Sequence, residues 1–325
     1  MTIKVKQDGT GDFCKLQHAV DSAREGDEIL IFPGVYEGRV IVNKNGITLH
    51  GTDSASCVIT DSRCAKDPGP DGKEKGTFLS YTLLVTGDDV TVRDLTVRNT
   101  AGPGRQAGQA VAVYAAGDRD SWYNVFMLGH QDTLFTGPTM PKVQKDALPW
   151  DVPEGVPSVG DCPKVSSRQY FENCFIRGDV DFIFGPYACW FENCLLYMNS
   201  GGGWYTAANT PEDNEYGFVF SNCRLTGEGT GRLGRPWRKY ARTAFLNCRM
   251  DACVDPRGFT DWDTERVVTG RLCEYACTGP GADRANRHPS EAQLTDEEAK
   301  HYSLEKVLNG WQPCTKRDRM PDQEG

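Results

Sequence analysis

The chain of 325 residues carries 36 basic and 45 acidic side chains, a formal net charge of −9, and 38% of its residues are hydrophobic. This composition is typical of a globular protein and excludes a disordered chain. No stretch reaches the roughly 18 apolar residues that a membrane-spanning helix needs, and the acidic balance argues against nucleic acid. We therefore expect neither a membrane nor a nucleic acid as partner.

The N-terminal segment predicts a cap for one end of the fold. Residues 12–23 place apolar side chains at helical spacing and are followed by Gly26, which favours a short helix. Residues 1–6 show neither the apolar core nor the cleavage site of a signal peptide.

An asparagine–cysteine pair recurs through the middle of the chain, each time at the end of a short run of alternating apolar and polar residues. The intervals are about 20 to 30 residues, the period typical of a solenoid. We extend the series upstream to Asn99 and Asn124, which have no cysteine after them. The four pairs are Asn173-Cys174, Asn193-Cys194, Asn222-Cys223 and Asn247-Cys248.

Stacked strands in such a solenoid would place equivalent asparagines in a ladder and equivalent cysteines just inside it. We therefore interpret these cysteines as packed thiols rather than as disulfides. The pairs Cys248/Cys253 and Cys273/Cys277 have a spacing near that of metal ligands, but no histidine accompanies them, so the sequence favours no zinc site.

Two segments lie outside the repeats. Residues 136–167 form a long stretch rich in proline, glycine and charge, which we interpret as a loop near the cleft or as a tolerated surface insertion. Near the end, Thr295 and Glu298 match a capping box that predicts a helix over 298–308. We expect one domain over residues 1–315 and a flexible tail over 316–325.

The residues with chemical potential lie in short motifs between these segments. Asp132 and Asp181 each interrupt apolar sequence, where an unpaired charge would cost several kcal/mol. If successive coils stack, the two aspartates can lie side by side with Arg235, while Gln109 and Gln131 supply neutral amide donors for an oxyanion. A purely structural ion pair between Asp181 and Arg235 is the alternative.

Several motifs occur in one order along most of the chain: Gly9-Thr-Gly-Asp, Phe32-Pro-Gly-Val-Tyr, Asn99-Thr-Ala-Gly, Gln109-Ala-Val-Ala, Gly129-His-Gln-Asp-Thr-Leu-Phe, Asp181-Phe-Ile-Phe-Gly and Leu233-Gly-Arg-Pro-Trp. In these motifs the sequence resembles the pectinesterase family, and we expect a bacterial member. The resemblance implies an all-β fold, a single-stranded right-handed parallel β-helix, and hydrolysis of galacturonate methyl esters in pectin with no metal or other cofactor.

The resemblance also implies roles for single residues. Asp181 corresponds to the nucleophile, and we expect Arg235 to keep its pKa low. Asp132 corresponds to the acid/base, and Gln131 and Gln109 to the oxyanion-stabilising amides. The expected substrate-binding residues are Trp237, Phe182, Thr82, Tyr205 and Trp204.

Some positions depart from the family pattern. Ala208-Asn209 replaces a Gln-Gly pair near the cleft, and Phe259 with Trp262 replaces the usual pair of tryptophans, so we expect one altered aromatic wall. The long segment 136–167 leads us to expect oligogalacturonides as better substrates than long pectin. Because a fold does not fix a substrate, a β-helix lyase, a glycoside hydrolase, or an esterase for another acyl group stay open as alternatives.

The expected partner is methyl-esterified homogalacturonan or its oligogalacturonides, bound by a monomer. The many cysteines and the missing signal segment favour a cytoplasmic location, whereas a trimmed signal peptide would mean a secreted or periplasmic enzyme.

Overall fold

The computed structural model describes residues 1–69, 72–138, 167–263 and 271–313. Strands dominate this part of the chain, and helices are few and short. In chain order the strands are β1 (Thr2–Val5), β2 (Glu28–Ile31), β3 (Gly34–Glu37), β4 (Val40–Val42), β5 (Thr48–Gly51), β6 (Cys57–Asp61), β7 (Leu83–Val85), β8 (Thr91–Arg93), β9 (Thr96–Asn99), β10 (Val113–Ala115), β11 (Asp120–Tyr123), β12 (Phe126–Leu128), β13 (Leu134–Thr136), β14 (Arg168–Glu172), β15 (Phe175–Gly178), β16 (Ile183–Gly185), β17 (Ala188–Glu192), β18 (Leu195–Met198), β19 (Gly203–Ala208), β20 (Phe218–Ser221), β21 (Arg224–Gly227), β22 (Gly231–Pro236), β23 (Thr243–Leu246), β24 (Arg249–Met250), β25 (Leu272–Tyr275) and β26 (Ala292–Gln293). The α-helices are α1 (Leu16–Ser22), α2 (Gly104–Ala107), α3 (Asp296–Ala299) and α4 (Leu304–Val307), with 3-10 turns at Thr77–Leu79 and Pro280–Ala282.

The strands form three parallel sheets. Sheet A has the order β1-β2-β5-β8-β11-β14-β17-β20-β23-β25-β26, sheet B the order β3-β6-β9-β12-β15-β18-β21-β24, and sheet C the order β4-β7-β10-β13-β16-β19-β22. From β2 to β22, successive strands enter sheets A, B and C in turn, so each coil adds one strand to each sheet. This is the right-handed parallel β-helix that we expected.

An asparagine makes the turn from sheet A to sheet B in successive coils. These asparagines have φ between 51° and 54°, a left-handed conformation that asparagine tolerates better than most residues. The ladder is present where the Asn193 amide donates to Asn173 Oδ1 at 2.6 Å. The turn residues are Asn124, Asn173, Asn193, Asn222 and Asn247.

The upstream extension of the series to Asn99 is wrong. Asp94, with φ 55°, occupies the equivalent turn, whereas Asn99 lies at the end of β9. Its buried amide donates to the carbonyl oxygens of Arg63, Ser80 and Val111. These bonds hold together segments that lead into strands of sheet C.

The interior of the coil is built from stacked equivalent side chains. Five aromatic rings from sheet A form one column, with neighbouring centroids 4.4–5.8 Å apart and interplanar angles of 8–14°. The cysteines after the turn asparagines are buried and have free thiols, which confirms their interpretation as packed core residues. The column consists of Trp122, Phe171, Phe191, Phe220 and Phe245.

The two ends of the chain differ in how well they were predicted. Helix α1 buries Leu16, Ala19 and Val20 against the core, as expected for a cap. The capping box of Thr295 is present, but the single helix expected over 298–308 is wrong. The chain forms α3 and α4 instead, because the Ser303 hydroxyl accepts from Lys306 N–H and starts a new helix.

Most of the segment 136–167 and the whole tail 316–325 lie outside the described residues, so the interpretations of these two segments stay predictions. Among the described residues, no helix combines the length and the apolar character needed to cross a membrane.

Candidate active site

Asp132 and Asp181 occupy matching places in two successive coils. Each lies in the turn that leads from sheet B into sheet C, and the pairing of Leu134 with Ile183 sets the two aspartates in register. The N–H of Asp132 donates to the Val180 carbonyl at 3.0 Å. Adjacent strands lie about 4.8 Å apart, so residues 49 positions apart in sequence become neighbours, as predicted.

Both aspartates have a left-handed backbone, with φ of 65° at Asp132 and 52° at Asp181. Both are also buried, with 7% and 5% of their surface exposed. Unusual backbone angles at buried charged residues are frequent at functional sites, where the surrounding structure holds them in place.

Arg235 reaches Asp181 from two strands away. Its Nε and Nη2 donate to the two carboxylate oxygens of Asp181 at 2.9 and 2.6 Å. Ala207, the residue opposite Arg235 on the intervening strand β19, is small enough to let the long side chain cross. This paired geometry is the strongest that arginine forms with a carboxylate.

The two carboxyl groups are electrostatically unequal. Burial and the nearby charge of Asp181 raise the pKa of Asp132 well above its ordinary value, against the weaker influence of Arg235. Burial also raises the pKa of Asp181, although the bonds from Arg235 limit the rise. The pKa of Asp181 is therefore raised and not low as expected, because removal from water outweighs the lowering by Arg235.

The relative order of the two pKa values still follows the expectation that Asp132 is the acid and Asp181 the nucleophile. Asp132 lacks the two direct guanidinium bonds and is the group that more readily holds a proton, while Asp181 is the group more readily kept as a carboxylate. A neutral acid next to a charged carboxylate is a common arrangement for acid/base and nucleophilic chemistry.

Gln109 and Gln131 lie beside the aspartates. The Ala110 N–H donates to the Gln131 carbonyl at 3.1 Å, which joins the two glutamine-bearing segments. Both side chains are partly exposed, and within the described part of the chain neither carboxamide has a hydrogen-bond partner. Their N–H groups can therefore donate hydrogen bonds to a developing oxyanion.

His130 and Asp179 flank the two catalytic candidates, and the sequence analysis missed both. His130 Nδ1 lies 2.8 Å from Asp179 Oδ2, and the Asp179 N–H donates to the His130 carbonyl at 3.1 Å. The pair connects the turns that carry Asp132 and Asp181. The one sequence feature that could have indicated this pair is its position, since each residue lies within two positions of a predicted aspartate.

Three of the expected substrate-binding residues are wrong. Phe182 and Tyr205 are fully buried inside the coil, and the Tyr205 hydroxyl donates to the Thr226 carbonyl. Thr82 is also fully buried, with its hydroxyl directed to the Arg98 carbonyl. A substrate on the surface cannot reach these side chains.

Trp237 lies where a substrate can reach it. It is partly exposed on the outer face of sheet C, and its ring centroid lies 5.9 Å from that of Phe184. Phe184 continues a row of outward-facing rings through Phe135 and Tyr114, which the sequence analysis did not single out. This aromatic face adjoins the paired aspartates, but Phe184, Phe135 and Tyr114 are buried, so Trp237 is the member of the row that a sugar ring can reach.

The expected change in the aromatic wall also needs correction. Phe259 is fully buried in the core and forms no part of a wall. Trp204 and Trp262 are both partly exposed, and both contact the guanidinium of Arg235.

The geometry favours chemistry over a purely structural ion pair. A structural pair would require Asp181 and Arg235 alone, whereas the site adds a second buried carboxyl and the amides of Gln109 and Gln131, which have no partner among the described residues. Within the described ranges, no three His, Cys, Asp or Glu side chains are grouped so that they could hold a metal ion.

Comparison with known proteins gives consistent matches over nearly the whole chain. The family model described as Pectinesterase matches residues 2–140 and 163–311. Pectinesterase 31 of Arabidopsis thaliana is 32% identical over 314 residues, which cover 92% of this chain and 90% of that protein. The pectin methylesterase from carrot superposes with a TM-score of 0.79 at 29% identity, covering 95% of this chain and 93% of the carrot chain. A pectin methylesterase in complex with a hexasaccharide gives a TM-score of 0.76 at 28% identity, with 96% and 98% covered.

Proposed function

Because the chain belongs to the pectinesterase family, we propose that it hydrolyses the methyl esters of galacturonate units in pectin or oligogalacturonides and releases methanol. The observation that carries this proposal is the register of Asp132 with Asp181, of which only Asp181 receives both bonds from Arg235. An acid and a nucleophile thus lie side by side next to two amide donors.

In the first half-reaction, a carboxylate oxygen of Asp181 attacks the ester carbonyl carbon. The amides of Gln109 and Gln131 stabilise the oxyanion that forms. The bond to the methoxy oxygen then breaks, and that oxygen takes the proton of Asp132 and leaves as methanol. The galacturonyl group stays on Asp181 as a mixed anhydride.

In the second half-reaction, the Asp132 carboxylate takes a proton from water while the water oxygen attacks the galacturonyl carbon. The bond to Asp181 breaks and restores its carboxylate, and Asp132 is protonated again. The new carboxylic acid releases its proton to solvent, so one ester and one water give galacturonate, a proton and methanol. Arg235 keeps the two oxygens of Asp181 in place through both steps.

The activity is tested by following methanol and chain length together on highly methylated pectin. We expect methanol release without shortening of the polymer. Shortened chains without methanol would contradict the proposal and support a lyase or glycoside hydrolase. If neither product forms, an ester of another acyl group becomes the leading substrate class.

The preference for oligogalacturonides stays a prediction. The family model leaves residues 141–162 unmatched, which supports an insertion relative to the family. Equal turnover of methylated polymer and methylated trigalacturonate would contradict this preference.

Location, assembly and source are also proposals. Free thiols at eleven cysteines of the described residues support a reducing, cytoplasmic setting, and a monomer is the simplest assembly for a capped coil. Cell fractionation and light scattering test these two proposals. The bacterial source stays a prediction, because the matches include proteins of Arabidopsis thaliana, carrot and Erwinia chrysanthemi.

A further inference from the structure

The guanidinium of Arg235 lies between two indole rings. Its Cζ is 3.9 Å from the ring centroid of Trp204 and 3.9 Å from that of Trp262. Cation–π contacts extend to about 6 Å, so both rings are in close contact with the cation. Only 17% of the Arg235 side chain is exposed, so the rings and the protein leave little room for water.

This stacking determines the direction in which Arg235 can donate. The two faces of the planar guanidinium carry no N–H groups, and centroids only 3.9 Å from Cζ place the rings against those faces, since an N–H between them would need a longer distance. The donors lie in the plane, where Nε and Nη2 reach the carboxylate of Asp181. A rotation of the guanidinium out of this plane would drive it into an indole ring. We call this packing of Arg235 against Trp204 and Trp262 the sandwich. It fixes the guanidinium orientation that the two bonds to Asp181 require.

Hydrogen bonds hold the sandwich together. Trp204 Nε1 donates to the Thr260 hydroxyl at 2.9 Å. The Thr260 N–H in turn donates to the Gly234 carbonyl at 3.0 Å, immediately before Arg235. Strand β19, strand β22 and the segment that carries Trp262 are thereby joined around one guanidinium.

We propose that Trp204 and Trp262 are positioning residues, which act by holding Arg235 in line with the nucleophile Asp181. This inference rests on the proposed function and adds two residues to its machinery. It also reassigns Trp204, which the sequence analysis placed among the substrate-binding residues. The Trp204 ring, expected to stack on a sugar, has the guanidinium of Arg235 over a face.

The charges around Asp181 indicate how the loss of the sandwich would be detected. Asp132 faces it from the neighbouring turn, Arg235 from β22, and Asp179 lies in its own turn, while Arg232 lies 5.5 Å from the Trp204 ring. Arg235 is the group that lowers the pKa of Asp181. A loosened Arg235 therefore raises that pKa, and the acid limb of the rate profile moves to higher pH.

Steady-state methanol release over a range of pH tests the proposal. We expect Trp204→Ala to lower kcat by about 10- to 100-fold with little change in KM, and to shift the acid limb upward. Trp204→Phe keeps a ring and should recover part of the loss, while Thr260→Val should give an intermediate loss. Trp237→Ala, at the aromatic face, should raise KM instead, and Trp311→Ala controls for the loss of a distant indole.

Two kinetic outcomes would overturn the proposal. If Trp204→Ala raises KM and leaves kcat unchanged, the ring is a sugar platform. If neither kcat nor the pH profile changes, the sandwich has no role in the reaction.

A second readout does not depend on activity. In a spectrum of protein labelled with ¹⁵N-arginine, the Nε–H proton of Arg235, assigned with Arg235→Lys, should be displaced by ring currents and should move back in Trp204→Ala. If the wild type releases no methanol but this displacement is present, the proposed function fails and the sandwich stands. If the displacement is absent, the positioning role is wrong whatever the activity.

Discussion

Asp132 and Asp181 show how two identical residues at matching positions acquire different roles. Both are buried in the same kind of turn, and only Asp181 receives the two bonds of Arg235. The sequence motifs identified both residues. The raised pKa of Asp181 was not predictable from the motifs, because its removal from water depends on how the coils pack around it.

The protonation of Asp132 predicts a pH-dependent stability. The ordinary pKa of an aspartate is 3.8, and the pKa of Asp132 lies well above it in the fold. Between these two values the folded state holds a proton that the unfolded state has lost, so stability falls as the pH rises, by up to about 1.4 kcal/mol per pH unit. Asp132→Asn cannot titrate and escapes this loss. We therefore expect its stability advantage over wild type to grow with pH above the ordinary carboxyl range.

Guanidinium unfolding of wild type and Asp132→Asn at several pH values checks this. Asp283→Asn, at an exposed carboxyl, controls for the substitution itself. A difference between wild type and Asp132→Asn that stays constant with pH would show that Asp132 is not protonated in the fold.

The close contact of Gly104 with Gln131 predicts that a side chain at position 104 would displace the oxyanion donor. A Cβ added at Gly104 would lie 2.8 Å from Cβ of Gln131 and would overlap its amide oxygen. Gly104→Ala should therefore displace the oxyanion donor and lower kcat by about 10² to 10³, the loss expected when one such donor is removed. Gly201→Ala, where the added Cβ meets nothing within 4 Å, is the matched control. Equal kcat values for the two variants would remove Gln131 from the oxyanion site.

At the scale of the element, each turn from sheet A to sheet B depends on a residue that tolerates positive φ. Asn193 has φ 51° and bonds to Asn173. Asn193→Ala and Asn193→Gly both lose this bond, but only alanine must also adopt the unfavourable backbone angle. We expect alanine to be less stable than glycine by about 1 to 2 kcal/mol, measured by thermal or denaturant unfolding. Equal stabilities would mean that the ladder bond, and not the backbone angle, selects asparagine.

The elements also show where sequence reasoning succeeds. The spacing of Asn173, Asn193, Asn222 and Asn247 predicted the coil, because each turn repeats one local conformation. Two of the expected cleft residues were wrong because the sequence does not show which side of the sheet the first residues of a strand face. Phe182 and Tyr205 point inward, whereas Phe184 and Ala207 lie on the outer side. Contacts such as those of Trp262 with Arg235 join neighbouring coils through residues far apart in sequence, and no local pattern encodes them.

At the scale of the whole molecule, the aromatic column joins successive coils along the axis. Phe191 lies at its centre, 4.5 Å from Phe171 and 4.4 Å from Phe220. In a solenoid each coil is stabilised by its neighbours, so a cavity here weakens two interfaces at once. We expect Phe191→Ala to cost about 3 to 5 kcal/mol of unfolding free energy.

Phe175→Ala is the matched control, since Phe175 lies partly exposed on sheet B and should cost clearly less. Denaturant midpoints of the two variants provide the comparison. Similar losses at both positions would contradict the view that the central column, rather than aromatic content in general, holds the coils together.

The central claim is that Asp181 attacks the ester, and the most direct measurement compares wild type with Asp181→Ala. Methanol release from methylated pectin is measured beside oligogalacturonide binding and thermal stability. The account predicts that turnover falls by about 10⁴-fold or more while binding and folding are retained. Turnover close to that of wild type would contradict it and would move the nucleophile to another group.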